Sequence, residues 1–140
     1  MEFKKFKAAT VQTSPVFLNV EKTVDKAISF IKEAASNQAK LIAFPEVFIS
    51  GYPYWNWIMT PVQGSKWYEQ LYKNSVDVSG PEIKKLCQAA KENDIHIVMG
   101  INERGSSFGE IYNTNLIIDN KGVIIGKHRK LVPTWAEKTK

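Results

Sequence analysis

The hydrophobic positions along the chain alternate between helical spacing and short strand-like runs. Between residues 20 and 35, apolar side chains recur at the spacing of one helix face, and Asn19 is a suitable cap for a helix that runs to about Ser36. The segment Phe6 to Thr13 before it is typical of a strand, and so is the short apolar run Leu41 to Phe44 after it. This part of the chain therefore predicts a strand, a helix and a buried strand.

The rest of the pattern predicts two more helices and three more strands. These elements are a helix at about Ser65 to Asn74, a helix with Ser79 as a possible cap and Pro81 in its first turn, a strand at Ile95 to Gly100, and a hairpin of Ile111 to Asp119 and Val123 to Lys127 around Asn120-Lys121-Gly122. The order β-α-β-α-α-β-β-β favours one layered domain of the α/β or α+β class.

The composition of the 140 residues, with 44% hydrophobic and 24% charged side chains, is that of a globular domain. The net charge of +5 comes from lysines scattered along the chain, which favours a solvated surface over a nucleic-acid site. Cys87 is the only cysteine, and His96 and His128 are isolated, so we expect neither a disulfide nor a metal site. The chain has no apolar run of membrane-spanning length and no secretory signal at its N-terminus, which predicts a cytoplasmic protein without a membrane partner.

Candidate chemistry begins at Glu46, which follows Phe44 and Pro45. Pro45 keeps Phe44 extended, so we expect the carboxylate just past the carboxyl end of a strand, where ligands gather in layered α/β sheets. Partial desolvation at that place would raise the pKa of Glu46 and suit it to act as a general base. This stretch alone also allows a structural or solvated glutamate.

A second candidate is the basic run Lys127-His128-Arg129-Lys130. Alternation along an extended chain predicts that His128 and Lys130 share one side, opposite the other two residues. Lys130 near a glutamate would stabilise negative charge as it develops, whereas a solvated basic strand end is the alternative. Glu137 lies seven residues later, and the residues alone indicate an exposed acid in a charged tail.

The loop Gly51-Tyr52-Pro53-Tyr54-Trp55-Asn56-Trp57 holds four aromatic side chains. This composition is unusual for a solvated loop and favours a lid over a pocket or a protein interface, with core packing as the alternative. Cys87, by contrast, belongs to an amphipathic helix and is typical of a small apolar core residue.

Four groups of motifs follow one another along the chain. They are Ala8-Ala9-Thr10-Val11-Gln12, Phe44-Pro45-Glu46 followed by Gly51-Tyr52-Pro53, Gly100-Ile101-Asn102-Glu103-Arg104 with Tyr112-Asn113-Thr114, and His128-Arg129-Lys130-Leu131-Val132-Pro133-Thr134. In this order the chain resembles the nitrilase branch of the carbon–nitrogen hydrolase family over essentially its whole length. The Tyr-Pro-aromatic-Trp loop and the Asn-Glu-Arg segment favour nitrilases proper over the amidase branches.

The resemblance implies an αββα sandwich, of which this chain is the N-terminal half, and a Glu-Lys-Cys catalytic set that needs no cofactor. Glu46 matches the general base of the family, Lys130 its lysine, and Glu137 a second glutamate placed shortly after the lysine. Tyr52 matches an aromatic residue that lines the substrate pocket. The implied reaction is the hydrolysis of a nitrile to a carboxylic acid and ammonia, in an enzyme that forms homo-oligomers.

The nucleophilic cysteine of the family follows the lysine by a few tens of residues, whereas this sequence ends ten residues after Lys130. Residues 1–140 are therefore expected to be the N-terminal part of a hydrolase domain, completed by a C-terminal half or a second polypeptide. Alternatives are an amidase, a carbamoyl hydrolase or a cyanide hydratase of the same family, or a non-catalytic remnant that serves as a binding module.

Overall fold

A five-stranded mixed sheet forms the framework of the computed structural model, which describes residues 5–137. The strands are β1 (Ala8–Thr10), β2 (Leu41–Ala43), β3 (His96–Arg104), β4 (Ile111–Ile118) and β5 (Ile124–Arg129). They lie side by side in sequence order; β1, β2 and β3 are parallel, and β4 and β5 are each antiparallel to the strand before. Parallel neighbours need long crossovers, whereas antiparallel neighbours can be joined by short turns.

Three α-helices within residues 5–137 provide the crossovers. They are α1 (Val20–Ser36) between β1 and β2, and α2 (Pro61–Lys73) and α3 (Pro81–Glu92) between β2 and β3. Two 3₁₀ helices cover Tyr54–Trp57 and Trp135–Glu137. The order of strands and α-helices agrees with the predicted one, and the α/β class is confirmed.

The residues that cap the N-termini of α1 and α3 can be compared with the predicted ones. Asn19 caps α1 as predicted, because its Oδ1 accepts a hydrogen bond from the Lys22 backbone N–H at 3.0 Å. The prediction that Ser79 caps α3 was wrong, since the cap is Gly80. The Ser79 hydroxyl instead donates to Asp77 at 2.7 Å, in a turn before the helix.

Helix α2 begins at Pro61, earlier than the predicted start near Ser65. Thr60 and Gln63 form a reciprocal capping box in which each side chain accepts from the backbone N–H of the other residue. This pair fixes the first turn. Pro61 is tolerated at the first helical position because the N–H that proline lacks would have no acceptor within the helix.

The strand lengths follow from pairing. β1 is shorter than the predicted Phe6 to Thr13, because β2 offers only three residues to pair with it. β3 continues past the predicted Gly100 to Arg104, because β4 pairs with it over its full length. β5 extends past the predicted Lys127 to Arg129 for the same reason.

One face of the sheet, called the helix-covered face, packs against α1 and α3. Its buried side chains are Ile42, Ile97, Met99, Ile101, Leu116 and Ile118, and they meet Val24, Ala27 and Ile31 of α1 and Ile83, Leu86 and Ala90 of α3. Each of these side chains is at most 1% exposed, so the main core of the described residues lies on this side.

The opposite face, called the open face, carries Leu41, Val98, Asn115, Ile117 and His128. The antiparallel register sets Val98 opposite Ile117, and Asn115 opposite His128. Leu41 and Val98 are half-buried and the other three are exposed. Among residues 5–137, no helix has both the length and the apolar character that crossing a bilayer requires.

Gly100 of β3 allows the segment after β2 to pass unusually close. A Cβ built at Gly100 would lie 2.2 Å from the backbone oxygen of Pro45 and 2.6 Å from the backbone nitrogen of Val47. No other residue fits against backbone at that distance. The Ile49 N–H then donates to the Gly100 carbonyl at 3.1 Å, which holds the segment that carries Glu46 over β3.

Candidate active site

Glu46 and Lys130 meet on the open side of the sheet, although 84 positions separate them in the sequence. Glu46 lies just past β2 and Lys130 just past β5. The Lys130 Nζ lies 2.9 Å from Glu46 Oε1. Both residues line an open cavity of about 320 Å³, whose other lining residues are Phe44, Val98, Asn113, Asn115 and His128. That volume is at the lower end of the range for small-molecule sites.

Glu137 is the third charged member of this site. It lies in the second 3₁₀ helix, and its Oε2 is 3.0 Å from Lys130 Nζ. Its side chain is only 10% exposed, so the prediction of an exposed acid in a charged tail was wrong for this residue. The rest of that tail, residues 138–140, lies outside the described residues. Burial acts to raise the pKa of Glu137, but hydrogen bonds from Lys130, Asn113 and Thr134 outweigh it and hold that pKa below its usual value.

Lys130 therefore lies between two carboxylates. Its hydrogen bond to Glu46 raises its pKa, burial opposes the rise, and the contact with Glu137 adds to it. The ammonium is accordingly charged throughout the physiological range. With both carboxylates ionised, the three side chains carry a formal charge of −1.

Two polar residues that had no assigned role in the sequence analysis complete the cluster. Asn113 donates from Nδ2 to Glu46 at 2.8 Å and to Glu137 at 2.7 Å. Thr134 accepts from Lys130 Nζ at 2.9 Å, and its backbone N–H donates to Glu137. Both residues stand in the motifs that carry the resemblance, which was the available signal. Their contacts are long-range or depend on a turn, so spacing alone could not reveal them.

The environment of Glu46 differs from the one expected. Its place just beyond a buried strand is as predicted, yet its side chain is 52% exposed within the described residues. Phe44, which follows β2 directly, is buried, whereas the Glu46 side chain is exposed in the cavity that both residues line. The described residues therefore leave about half of the Glu46 side chain exposed to the cavity.

Tyr52 lies close enough to the cluster for its charges to act on the phenol. Burial raises the pKa of Tyr52, the Glu137 carboxylate adds to the rise, and a hydrogen bond with Trp57 and the charge of Lys130 oppose it. The side chain is half-buried and its ring centroid is 5.0 Å from that of Tyr54. Its role in substrate binding stays a prediction.

The aromatic loop has two different parts. Trp55 is buried and packs against Phe17 and Trp67, with ring centroids 6.1 Å and 6.4 Å away, so core packing holds for this residue. Trp57 is exposed and contacts Trp135, with ring centroids 6.0 Å apart and the ring planes inclined by 50°. Because Trp135 begins the 3₁₀ helix that carries Glu137, this exposed part of the loop lies beside the charged cluster.

The predicted alternation along β5 is present. His128 and Lys130 line the cavity on the open side, whereas Lys127 and Arg129 both contact Glu103 on the other side. The basic run is thus neither a solvated strand end nor one patch, because its residues serve two separate clusters.

Cys87 lies in α3, which packs on the helix-covered face and not on the open face that carries the cluster. It is a half-buried residue of α3 that packs against the core, as predicted. Burial raises the pKa of its thiol and the nearby Asp119 adds to the rise, so the reactive thiolate is disfavoured. In the part of the chain that the structure describes, no three His, Cys, Asp or Glu side chains are grouped so that they could hold a metal ion.

Comparison with known sequences gives one consistent result. Residues 7–140 match the family model described as carbon–nitrogen hydrolase. The chain is 45% identical to a nitrilase of Bacillus sp. (strain OxB-1) over 98% of this chain and 40% of that protein. It is 44% identical to an aliphatic nitrilase of Rhodococcus rhodochrous over 96% of this chain and 36% of that protein, and 38% identical to a cyanide hydratase of Leptosphaeria maculans over 99% and 38%. The chain therefore spans about two fifths of the length of the curated relatives it matches.

Solved structures share the fold. An amidase from Nesterenkonia sp. superposes with a TM-score of 0.67 at 19% identity, over 94% of this chain and 45% of the amidase. The C. elegans NitFhit protein superposes with a TM-score of 0.65 at 18% identity, over 91% of this chain and 27% of that protein. Identities this low support the fold and nothing finer.

Proposed function

This chain belongs to the carbon–nitrogen hydrolase family, and on that premise we propose that it is the N-terminal part of a nitrilase that converts a nitrile into a carboxylic acid and ammonia. The resemblance inferred from the sequence motifs is confirmed by the family match and by the relatives. In this proposal, residues 1–140 form the first part of one hydrolase domain, and the nucleophilic cysteine comes from outside this chain.

The observation that carries the proposal is the position of one ammonium between two carboxylates on the open side of the sheet. Lys130 Nζ lies 2.9 Å from Glu46 and 3.0 Å from Glu137, and the cavity beside them is not filled by any described residue. A base and a fixed cation next to an open cavity are what a thiol nucleophile needs when it enters from the same side.

The chemistry assigns a task to each side chain. Glu46 takes the proton of the attacking thiol as sulfur bonds to the nitrile carbon, and the proton passes to the nitrile nitrogen to give a thioimidate. Lys130 stabilises the negative charge that builds on nitrogen. Water then adds, ammonia leaves, and a second water activated by Glu46 converts the thioester to the acid and frees the thiol. One nitrile and two waters give one acid and one ammonia.

Nitriles are favoured over other substrates by two observations. Among these relatives, those named nitrilases are the more similar ones, at 43–45% identity, against 38–40% for those named cyanide hydratases. The exposed Trp57 and Trp135 beside the charged cluster offer apolar surface to the organic part of a substrate. Hydration of cyanide is the second candidate, because cyanide hydratases match nearly the whole chain.

A chimera tests the proposal. Residues 1–140 would be fused to the remaining C-terminal part of the Bacillus nitrilase relative, and ammonia and products would be measured with aliphatic and aromatic nitriles, cyanide and amides. We expect the chain alone to release no ammonia and the chimera to release it from nitriles. Glu46→Gln should lower the rate at least ~100-fold, whereas Glu69→Gln, which removes an exposed carboxylate of α2, should not.

Each contrary result has its own meaning. Turnover by the chain alone that Cys87→Ala abolishes would overturn the assignment of the nucleophile to another segment. Formamide formed from cyanide without ammonia would replace the nitrilase by a cyanide hydratase, and turnover of amides alone would replace it by an amidase. A folded chimera that is inactive on every substrate would favour the non-catalytic remnant.

A further inference from the structure

Asn113 is the one side chain of β4 that touches both carboxylates of the charged cluster. Its Nδ2 carries two hydrogens, and the two acceptors are Glu46 Oε1 at 2.8 Å and Glu137 Oε1 at 2.7 Å. Its backbone carbonyl accepts from the Lys130 N–H at 2.8 Å. Asn113 therefore holds the side chains of Glu46 and Glu137 and the backbone of Lys130. These three residues come from separate segments of the chain.

The charge balance explains why an amide stands at this position. Two carboxylates share one ammonium, so their mutual repulsion is only partly offset. An amide N–H adds a donor to each carboxylate without adding a charge. A second lysine would neutralise the cluster, and an aspartate would add a third negative charge. Asn113 thus holds the carboxylates in place while the cluster keeps its excess negative charge.

We propose that Asn113 is a positioning residue of the site, whose amide holds the Glu46 and Glu137 carboxylates at fixed places on either side of the Lys130 ammonium. The proposal deepens the proposed function and rests on it for any effect on turnover. Both hydrogen bonds to Glu46, from Asn113 and from Lys130, end on Oε1, so neither occupies Oε2. Asn113 thereby directs one oxygen of the base into the cluster and leaves the other for proton transfer.

The titratable groups around this amide come from several segments. Glu46 and Glu137 accept its hydrogen bonds, Lys130 and His128 line the same cavity, Tyr68 of α2 lines a second pocket with Asn113, and Tyr52 is close enough to feel the charge of Glu137. Asn115 lies two residues further along β4, lines the same cavity, and makes no hydrogen bond to either glutamate. It is the matched control for Asn113.

The first test follows the titration of Glu137 in the 140-residue chain by NMR, with ¹³C in the glutamate carboxyl groups. Asn113→Leu keeps the volume and removes the donor, and it should shift the Glu137 midpoint upward. Asn113→Asp adds a charge as well and should shift it further upward. Asn115→Leu should leave it in place. Equal midpoints in all four proteins, with native spectra, would overturn the proposal.

The second test needs no substitution, so a variant that unfolds does not decide the matter. As pH falls through the titration of Glu137, the side-chain amide resonances of Asn113 should move with the same midpoint, while those of Asn115 should not. An Asn113 amide that is insensitive to pH would overturn the proposal.

In the chimera, Asn113→Leu should lower kcat about tenfold with little change in KM. An inactive wild-type chimera would count against the nitrilase alone, because both NMR tests are independent of turnover.

Discussion

Two ion clusters lie on opposite sides of the β4–β5 hairpin, and they are built in opposite ways. On one side, the single carboxylate of Glu103 meets two cations, with Lys127 Nζ at 3.0 Å and Arg129 at 2.7 Å. On the other side, the single ammonium of Lys130 meets two carboxylates. The Glu103 side chain is 4% exposed, against 52% for Glu46.

The difference separates an ion pair that stabilises the fold from one that is suited to chemistry. Both carboxylate oxygens of Glu103 accept two hydrogen bonds each. Oε1 accepts from Lys127 and Arg129, and Oε2 accepts from Thr114 and Arg129. Burial alone would raise the pKa of Glu103, but the hydrogen bonds outweigh it and lower the pKa to about 2. Such a carboxylate cannot take up a proton at neutral pH. The open-side cluster instead leaves an oxygen of Glu46 and a cavity accessible.

The largest expected effect comes from replacing, one at a time, Lys130 just past β5 and Lys127 within β5. Lys130→Met should lower turnover of nitriles by the chimera about 10³-fold, because it removes the cation that lies against both carboxylates of the open-side cluster. Lys127→Met, three residues earlier on the opposite side, should change turnover less than about threefold, since it reaches only Glu103. Rates of ammonia release measure both. Equal losses in the two variants would mean that the clusters are not functionally distinct.

A smaller effect is expected on stability, where the loss of Glu103 should cost more free energy of unfolding than the loss of Glu46. Glu103→Gln should lower the free energy of unfolding of the chain at pH 7 by about 3 kcal/mol, because two cations lose a buried partner. Glu46→Gln should change it by less than about 1 kcal/mol, because that carboxylate is half exposed. Urea denaturation compares the two. A larger loss for Glu46→Gln would reverse the assignment of the clusters.

The pH dependence sharpens the same comparison. The pKa of Glu103 is about 2 in the folded chain against 4.5 for an ordinary glutamate, so the folded state binds this proton less readily. Its stabilisation is therefore full above pH 4.5 and is lost as pH falls toward 2. The stability difference between wild type and Glu103→Gln should shrink over that interval. A difference that stays constant down to pH 2 would contradict the low pKa.

Strand β3 contributes to both clusters. It carries Glu103 of one cluster, and at Gly100 its lack of a side chain leaves room for the segment that carries Glu46 of the other. Gly100→Ala should destabilise the chain by about 2 kcal/mol, since the new Cβ meets backbone at 2.2 Å. In the chimera, displacement of Glu46 should also reduce turnover. Gly126→Ala is the control, because its Cβ meets only the side chain of Ile117, at 3.1 Å. Equal effects of both substitutions would show that close approach at Gly100 is unimportant.

Much of this arrangement was predictable from local pattern. The spacing of apolar residues predicted α1 and its Asn19 cap, and alternation along β5 predicted the sides of His128 and Lys130. Such features depend on neighbours in sequence, where helical and strand periods are direct guides. The placement of Glu46 beyond β2 followed from the same reasoning.

What the pattern missed depends on distant contacts. The burial of Glu137 results from a turn that brings it back to Lys130 and Asn113, and no local period reports such a return. The hydrogen bonds that Glu103 accepts come from Thr114 of β4 and Arg129 of β5, two strands whose pairing no local pattern shows. For Glu46 the sequence left a desolvated and a solvated carboxylate both open, because residue order does not show which side of a sheet the described residues leave uncovered.

The smallest expected effects come from two threonines, one in each cluster, and they provide the finest test of the comparison. Thr134 accepts from Lys130 at 2.9 Å and is exposed, so Thr134→Val should lower turnover by the chimera about fivefold, close to 1 kcal/mol, and leave stability unchanged. Thr114 is buried and donates to Glu103 at 2.7 Å, so Thr114→Val should lower the free energy of unfolding by about 1 kcal/mol and leave turnover unchanged. Activity assays and urea denaturation of both variants give four values. If each substitution changed both quantities, the two clusters would act as one coupled network through the hairpin, and burial and charge balance would not distinguish their roles.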